Sequence, residues 1–369
     1  MKKILFITPN LFRGGTEYQL LELVKGLLAS DSEIEITVLA FYSDKAKPGS
    51  IHYYDDFRKL NIKLIMLSDR LIRRRELYRR IRKTMRGTRF DIIHSYISAN
   101  NYALTCFRRN QFDKMYLGIR NLEDLSVMDR LVSMLFGGKV EKYLANSLNV
   151  ADYFCSRNNI ECGKVDFIYN GFSMERYKKT TTGLKRQDMQ IPDDGIVLIN
   201  TSNMHSHHKG HLILIDALQH LLREDSRYHL LLLGGGKLKE QFEEYADKLG
   251  IGNHIHFLGF TEETMEFLNM SNIYICASYR EGMSNSMMDA VMLGLPVVST
   301  DVGAAGEFVH NGENGFIIPV GSSQAIADEV IEISKGTLTA DLDAYAAEMR
   351  ELLTTEKMVA RHLEAYGMV

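Results

Sequence analysis

Two acids eight positions apart, Glu281 and Asp289, are the residues whose spacing best suits joint chemistry. Glu281 follows the apolar run Ile273–Cys276 in a Gly-containing loop, and Asn285 and Ser286 open a helical pattern just beyond it. A helix start presents backbone N–H groups and the positive end of the dipole, so it suits a phosphate. Asp289 falls about one turn further in, where a carboxylate can accept hydrogen bonds from ribose hydroxyls. A loop acid and a helix acid at this spacing can face one crevice. Taken as residues alone, the pair reads more readily as surface acids beside a capped helix.

A second loop, TSNMHSHHKGH at 201–211, carries one lysine, Lys209, and four histidines. Lys209 is a natural partner for a diphosphate. His205, His207, His208 and His211 resemble a metal cluster, but no cysteine or carboxylate is near in sequence and adjacent His207 and His208 aim apart. No metal is expected there, nor at Asp341 and Asp343, which read as a solvated helix start. Near the N-terminus, Gly14-Gly15 follows the first apolar run, where missing Cβ atoms let a ligand approach the backbone or merely permit a tight turn. His94 ends a short apolar run, and Arg120-Asn121 follows the next one.

The elements that must carry these residues are short Ile-, Val- and Leu-rich runs. They are Ile4–Thr8, Ile34–Ala40, Lys63–Leu67, Asp91–His94, Met115–Ile119, Tyr143–Asn146 and Asp166–Tyr169 in the first half. The second half has Ile196–Thr201, His229–Leu233, Ile255–Leu258, Ile273–Cys276, Pro296–Thr300 and Phe316–Ile318. Runs that do not alternate with polar residues are strands covered on both faces. Helical patterns lie between them, as with Leu20, Leu21, Leu23, Val24, Leu27 and Leu28. This βαβα rhythm predicts an α/β fold of two Rossmann-like, doubly wound parallel sheets. The polar stretch from Lys178 to Gly195 reads as a linker. The expected division is residues 1–185, residues 186–340 and terminal helices over 341–369 that pack back toward the first domain.

The chain has 369 residues, 45% hydrophobic and 25% charged, so it is neither disordered nor fibrous. With 44 basic and 47 acidic residues it is too balanced for composition to imply nucleic-acid binding. No apolar run approaches the roughly 18 residues of a membrane span. The opening MKKILFIT has no signal-peptide pattern. Cys106, Cys155, Cys162 and Cys276 form no CxxC pair, which argues against a disulfide framework or a zinc knuckle and for a reducing cytoplasm.

The stretch EGMSNSMMDAVMLGLPVVSTDVGAAGE, from Glu281 to Glu307, resembles the signature of retaining GT-B glycosyltransferases of the large bacterial family four, also called group 1. The resemblance extends to RGGTEYQLLELVKGL, IYNGFSMERY and NGENGFIIP, and so over nearly the whole chain. It implies two Rossmann-like domains facing a cleft. A nucleotide-sugar donor, a UDP-sugar before a GDP-sugar, would lie on the second domain, and a sugar or lipid-linked acceptor on the first. By resemblance, Gly15, Asn203, Lys209, Phe260, Glu281, Asn285, Ser286 and Asp289 bind the donor, with Phe260 under the base. Arg13, Gly14, His94, Arg120 and Asn121 fall to the acceptor, and Glu281, Lys209 and His94 to catalysis. The implied reaction retains anomeric configuration, needs neither cofactor nor metal, and belongs to surface polysaccharide biosynthesis. Two positions depart from the family. The second acid is Asp289 rather than Glu, and Asn203 stands near the place of an arginine, with His208 or a backbone N–H as the compensating donor.

Residues 70–89 hold ten Lys or Arg against the single acid Glu76, with Leu71, Tyr78, Ile81 and Met85 at helix spacing. Such a basic amphipathic helix is either a solvated face or a docking surface for anionic lipid. No array of stacking aromatics accompanies it, so nucleic acid is not an expected partner. The implied location is cytoplasmic, peripheral on the inner membrane face where the helix docks. A nucleotide-sugar 2-epimerase and an inactive scaffold that binds a partner share this architecture and are the competing readings.

Overall fold

The computed structural model describes residues 1–30, 33–47, 50–96, 99–122, 124–178 and 185–369. The chain divides into two compact units, one of Met1–Ser173 with Leu353–Val369, the other of Met174–Leu352. Part of the polar linker, 179–184, lies outside the described residues.

Unit 1 is built on seven strands: β1 (Lys2–Thr8), β2 (Ile34–Tyr42), β3 (Lys63–Ser68), β4 (Phe90–Tyr96), β5 (Phe112–Ile119), β6 (Lys142–Ala145) and β7 (Val165–Phe167). They form one parallel sheet in the order β3-β2-β1-β4-β5-β6-β7. Successive side chains alternate between two buried layers. Ile4 and Phe6 join the core beneath the helices Gly15–Ser30 and Thr355–Tyr366, whereas Leu5 and Ile7 join the opposite core. That alternation explains the unbroken apolar runs, because both faces of each strand are covered. A Cβ on Gly26 would lie 2.4 Å from Val359 Cγ2, so the glycine lets the first and last helices approach closely.

The helices Arg74–Thr84, Asn100–Cys106, Val127–Phe136 and Leu148–Asn158 flank the opposite core. The basic helix docks through Leu77 and Ile81, with Met85 just past its end. Leu71 departs from the expected spacing. It precedes the first helical turn and is 72% exposed.

Unit 2 has six strands: β8 (Ile196–Thr201), β9 (Tyr228–Leu233), β10 (Ile255–Gly259), β11 (Ile273–Cys276), β12 (Val297–Thr300) and β13 (Gly315–Ile318). All pairings are parallel, in the order β10-β9-β8-β11-β12-β13. In both sheets the strand order reverses beside the first strand, between β1 and β4 and between β8 and β11. Ligands of open parallel sheets bind beyond the carboxyl ends of the strands at that reversal.

One expectation is corrected. Cys155, within its helix, and Cys162, in the turn after it, form a disulfide with Cα atoms 5.3 Å apart. Asn159, left-handed at φ 54°, reverses the chain between them and brings together two cysteines with no CxxC spacing. Cys106 and Cys276 are free and buried. Among the described residues no helix is long and apolar enough to cross a membrane.

Candidate functional site

The reversal point of unit 2 gathers the strongest residues. Lys209 lies in a short 3-10 turn after β8, and Glu281 lies in the loop after β11, the strand beside β8. The Lys209 ammonium donates to Glu281 Oε1 at 2.5 Å, and the Ser278 hydroxyl donates to the same oxygen at 2.8 Å. The pair is neither buried nor solvated, with side chains 17% and 15% exposed.

Close backbone contacts fix this geometry. Gly210, at φ +73°, puts its absent Cβ only 2.0 Å from the Ala277 carbonyl oxygen, so the loop after β8 rests on the end of β11. The Tyr279 N–H donates to the His208 carbonyl at 2.8 Å across the same seam. Gly303, at φ +54°, is held equally close to the Gly282 carbonyl, and the Ala304 N–H donates to that oxygen at 2.9 Å. The Glu281 loop is thus clamped from both sides by loops that only glycine allows so near.

The helix Asn285–Met292 starts where the sequence places it, and Ser284 caps it by accepting from the Met287 N–H at 3.4 Å. Asn285 is its first residue. Ser286 donates its hydroxyl to the Thr201 carbonyl at 2.8 Å, which ties the helix to the end of β8. Asp289 is 4% exposed, and both its oxygens accept hydrogen bonds. Arg176 donates to Oδ2 at 3.0 Å and the Tyr177 hydroxyl to Oδ1 at 2.6 Å. Burial pushes the carboxyl up, against the guanidinium and the hydroxyl, which favour its charged form. Sequence reading did not single out Arg176 and Tyr177; their place in the IYNGFSMERY motif was the available signal.

Other expected donor residues spread around the same sheet end. The Asn203 side chain accepts from the His205 N–H at 3.3 Å within its own loop. Phe260 follows the edge strand β10 and is 47% exposed. His208 is exposed next to Lys209, and desolvation, then the lysine charge, hold its imidazole below the usual range. His211 is buried instead, with Nε2 3.1 Å from the Ser202 hydroxyl, so it does not join a cluster with the others. Among the described residues no group of three His, Cys, Asp or Glu could hold a metal ion.

In unit 1, Arg13, Gly14 and Gly15 are exposed after β1, and the Arg13 guanidinium lies over the Tyr53 ring at 5.4 Å. Glu17, missed from sequence, folds back over this loop, its Oε2 2.5 Å from where a Gly14 Cβ would be. Burial pushes its carboxyl up to about 7. His94 does not end its strand, since β4 continues to Tyr96. Its ring is fully buried, stacked on Tyr96 at 4.6 Å, with Nδ1 2.7 Å from the Tyr366 hydroxyl. Arg120 is partly buried, donates to Asn170 Oδ1 at 3.1 Å and covers the Tyr96 ring at 4.9 Å; Asn121 is partly exposed beside it.

Paired Rossmann-like units, one with a lysine–carboxylate pair at its reversal point, define the class of α/β protein. Within it, the model for glycosyl transferases group 1 matches residues 182–355 and that for glycosyltransferase family 4 matches residues 13–176, and the chain belongs to the group 1 glycosyltransferases. The O-antigen biosynthesis glycosyltransferase WclY of Escherichia coli is 24% identical over 312 residues, 81% of this chain and 80% of that protein. An uncharacterized glycosyltransferase of Methanocaldococcus jannaschii is 29% identical over 157 residues, which is 42% of this chain and only 37% of that protein. The fold matches Anabaena HepE, solved with UDP and glucose, at a TM-score of 0.80 and 20% identity over the full length of both chains.

Proposed function

We propose that the chain transfers a sugar from a nucleotide-sugar, a UDP-sugar before a GDP-sugar, to a glycan or lipid-linked acceptor in surface polysaccharide biosynthesis. The Lys209–Glu281 contact at the β8–β11 reversal carries this reading. An ammonium has three N–H donors, so Lys209 can keep Glu281 and still donate to a diphosphate oxygen. With the N–H groups of the helix start at Asn285–Ser286, it meets the charge that grows on the leaving diphosphate, a role preplaced donors fill without a metal. Glu281 then holds hydroxyls of the sugar ring and sets its orientation. Asp289 is assigned first to anchoring Arg176 and Tyr177, with a ribose hydroxyl reaching a remaining lone pair. Phe260 is exposed enough to meet a base, and HepE with UDP bound supports uridine as the first nucleotide to test.

Retention is carried over from the family resemblance. The acceptor oxygen attacks the anomeric carbon from the face the diphosphate leaves, and the departing phosphate oxygen takes the acceptor proton. Of the residues expected to meet the acceptor, Arg13, Gly14, Arg120 and Asn121 have surface to offer. His94 has none and is assigned to support the β4 end. The test is a thermal-shift series with UDP, GDP and ADP, where ligand at a hundred times its Kd stabilises by about 2.7 kcal/mol. UDP raising the melting temperature, with UDP released from a UDP-sugar only when acceptor is present, is the expected result. No shift with any nucleotide would overturn it, and release without acceptor would favour an epimerase.

A further inference from the structure

Five of the ten residues of the helix Val127–Phe136 are large apolar side chains turned to solvent: Val127, Met128, Leu131, Met134 and Leu135. Val127 is 88% exposed and Met134 76%, values opposite to those of a core-facing stripe. At roughly 100° per residue the five fall within about 120° of the helix circumference, one continuous ridge. Val132 and Phe136, on the other side, already pack on the core, so the helix is docked and its ridge is surplus to folding.

The charges around the ridge are one-sided. The short helix Asn100–Cys106 lies between the apolar helix and the basic helix Arg74–Thr84 and packs on both. Arg74 and Asp129 sense each other's charge across it. From the basic helix and its flanks, Arg73, Arg75, Arg79, Lys83 and Arg86 are exposed. Neighbouring acids are engaged: Glu76 with Arg80 at 2.6 Å, Asp129 with Ser126 and Asn101, and Asp124 with Arg157 at 3.3 Å. An exposed apolar ridge beside an uncompensated basic array fits an anionic bilayer, which takes apolar side chains into its acyl boundary and cations at its headgroups.

We propose that this face of unit 1 is a membrane-docking surface, with the ridge of Val127–Phe136 entering an anionic lipid bilayer and the basic helix lying on its headgroups. It rests on unit 1 alone and is independent of the donor reading of unit 2.

The test is cosedimentation of the full chain with vesicles of equal parts phosphatidylglycerol and phosphatidylcholine, and with phosphatidylcholine alone. The wild type is expected to pellet with the anionic vesicles and weakly with neutral ones. The triple variant Met128→Ser, Leu131→Ser, Leu135→Ser changes only exposed side chains and should melt like wild type while its vesicle binding falls about tenfold or more. Arg75→Glu, Arg79→Glu and Arg86→Glu together should abolish the preference for anionic lipid. The inference fails if the wild type stays in the supernatant, or if the serine variant binds as well as wild type. It fails equally if the wild type is a dimer in lipid-free buffer and the serine variant a monomer, which would make the ridge a contact between copies.

Discussion

Lys209 and Glu281 are 72 residues apart in sequence and 2.5 Å apart in space, because β8 and β11 are neighbours in the sheet. The contact is set by topology: each residue lies in the loop leaving the carboxyl end of its strand. A charged hydrogen bond contributes about 1.5–3 kcal/mol, so Lys209→Ala should weaken UDP binding by roughly tenfold to a hundredfold. Glu281→Ala should leave affinity for bare UDP nearly intact and lower turnover severely, if Glu281 holds the sugar ring as proposed. Calorimetry with UDP on both variants separates the roles, and equal affinity for wild type and Lys209→Ala would remove the lysine from the diphosphate.

Asp289 offers a contrast between anchoring and ligand binding. Its two oxygens accept from Arg176 and Tyr177 at 3.0 and 2.6 Å. Breaking a buried charge pair costs about 3–5 kcal/mol, and the partial exposure of Arg176 puts Asp289→Ala at or below the lower end. Tyr177→Phe should cost about 1 kcal/mol, the usual worth of one hydrogen bond. Denaturant titration of both variants is the measurement. An Asp289→Ala protein that melts like wild type and loses only UDP affinity would make ribose binding the residue's sole task.

Much of this arrangement is legible in the sequence, and the exceptions share a cause. Strands buried on both faces read as unbroken Ile, Val and Leu runs, so every described strand coincides with an expected one. The ends slip where a strand runs on through polar or aromatic residues, as β4 does past His94 to Tyr96. The Glu281–Asp289 spacing points to one end of one sheet because a single loop and helix carry both. What sequence could not supply is long-range: the partners of Asp289 lie 112 and 113 residues away. The Cys155–Cys162 bridge depends on a left-handed Asn159 that no cysteine spacing encodes. The helix Val127–Phe136 looks like an ordinary core helix until its neighbours show that five of its seven apolar residues face out.

Glu17 gives a pH signature. Its carboxyl has an ordinary value of 4.5 and is raised to about 7 by burial. Between those values the folded chain holds a proton that the unfolded chain has released, so stability falls as pH rises through this window. The stabilisation is whole below about 4.5 and lost above about 7. Glu17→Gln removes the titration, so the variant's advantage over wild type should grow from pH 5 to pH 8 and then level off. Denaturation midpoints across that range test it, and a difference that stays flat with pH would show that Glu17 ionises freely.

Gly303, one of the two glycines that clamp the Glu281 loop, provides the last test. A Cβ at Gly303 would sit 2.0 Å from the Gly282 carbonyl oxygen, a backbone atom that cannot rotate away. The residue also has φ +54°, where an L side chain costs about 1–2 kcal/mol, and overpacking adds about 1–3 kcal/mol. Gly303→Ala should therefore lower the melting temperature of unit 2 and displace the Glu281 loop, with UDP affinity falling in step. Three residues on, Gly306 has no atom within 4 Å of its absent Cβ and an ordinary φ. Gly306→Ala should be neutral or slightly stabilising, since alanine restricts the unfolded chain by about 0.4–1 kcal/mol. Melting curves and UDP titrations on the two variants make a matched pair. If both behave alike, the close approach of the 281–284 and 302–305 loops does not hold Glu281 in place, and the geometry of the lysine–glutamate pair must come from elsewhere.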